Sequence, residues 1–424
     1  MKRLIGWILL LSVAVAGSAT SIEAFQAETR IITRGSDILV IRGAVLIDGT
    51  GRAPLNDATI VIQGNRIRSV GSAGAVEIPD GARQLDLSGL VVLPGLIDSH
   101  VHLTSVGPPQ GPNDDPYSPA LLSYLEHGVT TIKDMGGIHP LTVEIKRSLA
   151  DGRRKGPRLF VAGPMFTAPG GHPAGSWLKG NGALARLFSR QVKDPGEARE
   201  EVRKLARDGV DFIKAVYDTS QEESPFGKLP TLDRAVLKAI IEEAHMLGLR
   251  VAVHWSIPSE LSEILELSPD GLEHIGFSAI PDDLVARIAK DRFYLDPTLA
   301  VSEAVVQSPS GDPVLRENVR KLAGAGVELV AGTDAPLIGM NFGDGLDREL
   351  ETLVHAGLTP MQAIQAATKN AAEYLGKSRD IGTIETGKLA DLIAMAGNPL
   401  EDIRNIGNVR LVIKDGELLI DKLK

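Results

Sequence analysis

The chain contains no cysteine. This excludes disulfides, a thiol nucleophile, thiolate metal ligands and a lipid anchor on an N-terminal cysteine. Any metal must be held by imidazole, carboxylate or similar hard or borderline donors. Positive charge is also scarce: 45 Lys and Arg against 54 Asp and Glu leave a net charge of −9. That argues against a nucleic-acid partner or an anionic membrane surface, since both require clustered cations. Long hydrophobic runs are lacking too. The one uncharged N-terminal stretch, Leu4 to Ala16, has 13 residues, short of the ~20 that span a bilayer. Lys2 and Arg3 precede it and the small residues Gly17-Ser18-Ala19 follow. This is the order of a secretory signal, so residues 1–19 are read as a signal peptide, with an uncleaved anchor as the alternative. Export to the periplasm or the extracellular space follows from that reading. Gly and Pro, 45 and 25 of 424 residues, stay below low-complexity levels, so the remainder reads as globular.

Two textures alternate along the rest of the chain. From Asp37 to Val92 short β-rich segments (38–41, 44–47, 59–62, 66–70) are punctuated by Gly43, Asp48-Gly49, Gly64-Asn65 and Asp80-Gly81. The C-terminal stretch repeats the pattern at 391–394, 409–413 and 417–420. Strand-and-turn texture at both ends predicts one discontinuous β-sandwich domain, residues 31–92 with 379–424. The middle, 93–378, alternates strand and helix. Residues 231–247 carry apolar side chains at helical spacing, with Thr231 as the expected N-cap and Gly248 as the stop. Strand-type runs begin with 91–97 and continue at 129–132, 159–162, 210–213, 249–253, 271–275, 293–295 and 327–331. Eight βα units predict a closed (β/α)8 TIM-type barrel, and the fold class is α/β.

Of nine histidines, four fall where predicted strands end: His100, His102, His254 and His274. Asp334 follows the eighth strand in the same way. In such a barrel these ends face one mouth, where active sites are built. His-x-His on an extended segment points both rings to one side, so two imidazoles can grip one ion. His127, His139, His245 and His355 lie on helices or their ends and are read as surface or packing residues.

The stretches 93–102 (LPGLIDSHVH), 128–134, 272–275, 332–335 (GTDA) and 382–392 (GTIETGKLADL) resemble the amidohydrolase superfamily. The resemblance covers nearly all of the mature chain and is closest to the prolidase-like and imidazolonepropionase-like branch. It implies two divalent metal ions, zinc foremost. His100, His102 and Asp334 would hold one and His254 and His274 the other. Lys214 matches the lysine that this branch carboxylates on its nitrogen with CO2, turning an ammonium that repels cations into a bridging carbamate. Lys133, on the second strand, is the competing lysine and reads as structural or substrate-orienting. The implied chemistry is cleavage of an amide or peptide C–N bond in a dipeptide or N-acyl amino acid by an activated water, with Asp334 shuttling the proton. Tyr217 and His172 are candidate substrate or oxyanion contacts. Arg153, Arg186, Arg190 and Lys179 are candidates for binding a substrate carboxylate. Alternatives are a one-metal cyclic-amide hydrolase or deaminase, a lactonase or esterase, and, as an outsider, a non-catalytic binding protein. The expected partner is a small molecule or peptide, and the resemblance admits a homo-oligomer.

Overall fold

A computed structural model describes residues 38–111, 114–219, 227–307 and 312–423. The expected signal segment and residues 31–37 lie outside the described residues. Among these, no helix is long and apolar enough to cross a membrane.

Both ends of the described chain enter one eight-stranded sheet. Its N-terminal strands are Ile38–Leu46, Leu55–Gln63, Arg66–Ser72, Arg83–Asp86 and Leu90–Pro94. The C-terminal ones are Leu392–Ala396, Val409–Lys414 and Glu417–Asp421. The two groups join where Leu90–Pro94 pairs antiparallel with Leu392–Ala396. Alternate residues such as Leu39, Ile41, Ile60, Ile62, Leu411 and Ile413 form one buried cluster, as the two-residue period of a strand requires. The expected break at Gly43 is corrected: 38–46 is a single strand. Gly43 has φ 83° and sits where the register shifts between Arg42 and Ala44, so it makes a bulge rather than a turn.

The middle forms a TIM-barrel-like α/β fold. Its strands, in order, are Leu96–Val101, Val129–Asp134, Arg158–Val161 continued by Met165–Thr167, Phe212–Val216, Arg250–His254, Gly271–Glu273, Tyr294–Asp296 and Glu328–Leu329. Neighbours pair in parallel. The eighth returns to the first through Ser99 N–H donating to Ala331 O (2.9 Å) and Asp334 N–H donating to His100 O (2.7 Å). Helices between the strands carry ordinary signals. In Pro195–Asp208, for example, Asp194 accepts from the Glu197 N–H, Pro195 opens the first turn, and Gly209 at φ 96° ends it. The fourth-to-fifth crossover helix is Arg234–Met246. Its N-cap is Asp233, which accepts from the Ala235 N–H, and not Thr231.

A second correction bears on the site. Residues 91–97 are not one strand. Leu90–Pro94 belongs to the terminal sheet and Leu96–Val101 opens the barrel. The change of partner happens at Gly95, where a Cβ would fall 2.2 Å from Thr130 Oγ1. Only a residue without a side chain lets the backbone pass there.

Arg158 ties the two parts together. One guanidinium nitrogen donates to Asp391 at 2.7 Å and to Thr131 Oγ1 at 3.1 Å, and the other donates to Asp415 at 2.6 Å. Asp391 is buried, so removing the arginine strands a desolvated carboxylate. The Arg158 side chain is 22% exposed, which places the cost below the ~3–5 kcal/mol of a fully buried pair. Arg158→Met should lower unfolding stability by ~2 kcal/mol in urea titrations. An unchanged midpoint would show that the clamp contributes nothing.

Candidate metal centre

The barrel brings the expected ligands together at the C-terminal ends of its strands. His100 Nε2 and His102 Nε2 lie 3.5 and 3.0 Å from Asp334 Oδ1, and donor atoms of the three fall within 4.8 Å of one another. The His254 ring meets the His274 ring at 4.3 Å between centroids, and His274 meets His100 at 4.9 Å. Five side chains from four strand ends thus form one contiguous group. Lys214, in mid-strand, is buried, and its Nζ has no hydrogen-bond partner among the described residues.

Backbone conformation aims several of these groups. Asp334 has φ 58°, His274 φ 75° and Thr298 φ 40°. Non-glycine residues in this left-handed region store strain, of the kind found where a side chain must leave a strand end at an unusual angle. Gly332 allows the close approach of two strands. A Cβ there would lie 2.2 Å from Asp296 Oδ2 and 2.6 Å from the His100 Cβ.

Partners on the far ring nitrogens orient the imidazoles. His100 Nδ1 bonds Glu273 at 2.8 Å, His102 Nδ1 bonds the Gly136 carbonyl at 2.8 Å, and His274 Nδ1 bonds Thr298 Oγ1 at 2.8 Å. Each bond frees the opposite nitrogen to act as a ligand. His254 Nε2 is 3.3 Å from Asp218. Burial, reinforced by the Lys214 charge, pushes the His100 pKa down to about 4, which keeps the ring neutral. Burial, then the neighbouring His254 and His100, holds His274 well below its usual value. Burial works to depress His102 as well, but the hydrogen bond and charge of Asp334, the Asp134 charge and the Gly136 bond together outweigh it and raise it. Asp334 shows the reverse balance: burial favours the acid, and the His100 and His102 contacts keep it low.

This donor set fits divalent ions. It offers imidazoles, of which His100 and His274 are held neutral, an ionised carboxylate, and a buried amine without a hydrogen-bond partner among the described residues. His100, Glu273 and Asp296 form a second close trio, but Glu273 is already engaged by His100 Nδ1 and by the Tyr374 hydroxyl.

The remaining expected residues divide. His172 reaches the group: its ring stacks on His254 at 5.0 Å while Nδ1 bonds Ser176 Oγ. The Tyr217 hydroxyl donates to Glu263 at 2.5 Å, a carboxylate outside the histidine group. Arg190 pairs with Glu201 and Arg153 with Asp151. His127, His139 and His245 pair with Asp347, Asp208 and Asp270 away from the site. Sequence reasoning missed three residues: Glu273, Asp98 and Trp177. Asp98 accepts from the Thr333 hydroxyl at 2.8 Å, and burial lifts its pKa to about 7. It had a signal, being two residues before His100 and so on the same side of an extended segment. Glu273 also had one, as a charge inside an apolar strand. The Trp177 ring packs against His172 at 5.0 Å and His102 at 6.1 Å and is 41% exposed, and no local pattern announces it.

Comparison with known proteins identifies the family. The sequence profile of the Amidohydrolase family matches residues 91–419. The chain belongs to the amidohydrolase family. It is 27% identical to ochratoxinase of Aspergillus niger, over 88% of this chain and 84% of that protein. It is 26% identical to enamidase of Eubacterium barkeri, over 89% of this chain and 94% of that protein. The solved structure of a Xaa-Pro dipeptidase with methionine bound in its active site matches with a TM-score of 0.76 and 27% identity, over 91% of this chain and 100% of that one. This amidohydrolase therefore stands in the prolidase-like branch and is a hydrolase acting on C–N bonds. The superfamily is generally metal-dependent.

Thr298 gives a test of the ring-orienting bonds. Thr298→Ala should weaken metal retention against a chelator roughly 10-fold, within the range for lost partners of ligating histidines, and Thr298→Ser should restore it. Equal retention in all three proteins would show that the bond to His274 is idle.

Proposed function

We propose that this amidohydrolase is an exported enzyme that cleaves the amide bond of a dipeptide or N-acyl amino acid at a two-metal centre. The observation that carries the reading is the burial of Lys214, without a hydrogen-bond partner among the described residues, in the fourth strand, alongside the one that ends at His254. An ammonium there would oppose the cations that the histidines invite, whereas a carbamate would join them. In this reading His100, His102 and Asp334 would hold one ion and His254 and His274 the other, N-carboxylated Lys214 would serve both, and zinc is the expected metal. Divalent ions bound there supply Lewis acidity, making a water nucleophilic at neutral pH and polarising the scissile carbonyl. Asp334 takes the proton from the attacking water and delivers it to the departing nitrogen. Its strained backbone keeps the carboxylate between His100 and His102, ready for both transfers. His172 and Trp177 flank the group. The imidazole is suited to contact the substrate carbonyl, and the exposed indole offers an apolar wall for a substrate side chain. Tyr217 is given no part, because its hydroxyl already donates its hydrogen bond to Glu263. The terminal strands, as a β-sandwich domain of 31–92 with 379–424, would brace the barrel at Gly95 and Arg158.

The decisive experiment pairs metal analysis with a substrate screen. Protein produced with zinc and bicarbonate should carry two ions per chain and hydrolyse dipeptides or N-acyl amino acids in preference to lactones and aryl esters. One ion per chain would favour the mononuclear hydrolase or deaminase reading. Lys214→Ala should lose ~10²-fold or more in kcat/KM, on the scale of ~2.7 kcal/mol of transition-state stabilisation. Full activity in that variant would defeat the bridging role.

Trp177→Ala should raise KM about 10-fold for substrates with aromatic or large aliphatic side chains, and leave kcat within about 2-fold, the signature of lost uniform binding. A fall in kcat without a change in KM would place the indole in the chemistry instead.

A further inference from the structure

A cavity of about 230 Å³ opens at the beginnings of the barrel strands, the end opposite the histidines. Its wall includes Lys133, Arg250 and Lys377 together with the rings of Phe160, Phe212 and Tyr374. Asp211 is the one carboxylate in the lining, and its oxygens are taken: one accepts from Lys146 Nζ at 2.7 Å and the other from the Val161 N–H at 2.9 Å. The lining therefore carries three cationic side chains and no free carboxylate: Arg250 already donates to the Glu373 and Tyr374 carbonyls, Lys133 is paired only loosely with Glu273 beyond the wall, and Lys377 is exposed. Lys133 is the second indication of a ligand. It is 2% exposed, and its Nζ has no hydrogen-bond partner among the described residues. The ammonium lies 3.4 Å from the Tyr374 ring centroid and 4.6 Å from that of Phe212, with Glu273 Oε1 no nearer than 3.7 Å. Lys377 Nζ stands 5.7 Å from the Phe160 ring centroid. Cations set over aromatic faces hold their charge in a low-dielectric wall, where an entering anion gains most.

We propose that this cavity is a second binding site, separate from the hydrolytic one, for a small organic carboxylate with an apolar or aromatic body. The cations take the carboxylate and the three rings take the body, the usual division of labour in a small-molecule pocket. This goes beyond the hydrolytic reading and does not depend on it, since binding alone tests it.

Benzoate serves as the probe, titrated calorimetrically into the metal-replete full chain, with benzamide as the neutral control and inorganic phosphate as the bare anion. The expected result is one benzoate per chain, with benzamide and phosphate each at least 10-fold weaker. Lys377→Glu, an exposed change that leaves the barrel interior alone, should weaken benzoate at least 10-fold, and Lys133→Met should abolish binding. Benzoate held at the histidine end would bind wild type and Lys377→Glu alike, and that result overturns the proposal. Equal affinity for benzamide, or tighter binding of phosphate than of benzoate, overturns it as well. Should Lys133→Met fail to fold, the Lys377→Glu comparison decides.

Discussion

A carboxylate sealed from water must be satisfied by the protein alone, and Glu273 is in that position. It accepts from the His100 imidazole on one oxygen and from the Tyr374 hydroxyl on the other. Burial works to raise its pKa, but the charges of Lys133 and Lys214 override this and hold it well below the usual carboxylate range. The anion in turn stabilises the buried Lys133 amine, 3.7 Å away, which a dry barrel interior would otherwise disfavour as a charged group. The orientation of His100, and with it the spacing to Asp334, rests on this balance. A change at Glu273 therefore acts on the site without touching any ligand atom.

The other constraint is conformational. Asp334, His274 and Thr298 all adopt left-handed backbone angles at strand ends, each at a cost of order 1 kcal/mol or more. Hydrogen bonds from neighbouring strands hold two of them in place: Asp334 N–H donates to His100 O at 2.7 Å, and His274 N–H to Asp296 O at 2.7 Å. The barrel spends part of its cohesion on presenting these side chains, as expected where geometry matters more than local preference.

Much of this was legible in the sequence because the relevant signals are periodic or local. Alternation of strand and helix predicts the barrel, and strand-end positions place His100, His102, His254, His274 and Asp334 in one group. Partner identity was less legible. The apolar run 91–97 hides the change from one sheet to the other at Gly95, because hydrophobicity records burial and not which strand lies alongside. The cap of Arg234–Met246 was misplaced for a related reason. Thr231 and Asp233 are both competent caps, and only the backbone path decides between them. Buried acids such as Glu273 and Asp98 were missed because acidic residues are ordinarily found at surfaces. Trp177 comes from an irregular loop, where no period exists to read.

Residues 90–101 serve two masters: five of them extend one sheet, a single glycine intervenes, and the next six begin the barrel and carry His100. A chimera that exchanged the barrel while keeping the flanking strands would have no neutral splice point here. Transplanting this catalyst means moving head and tail with it, as one indivisible piece.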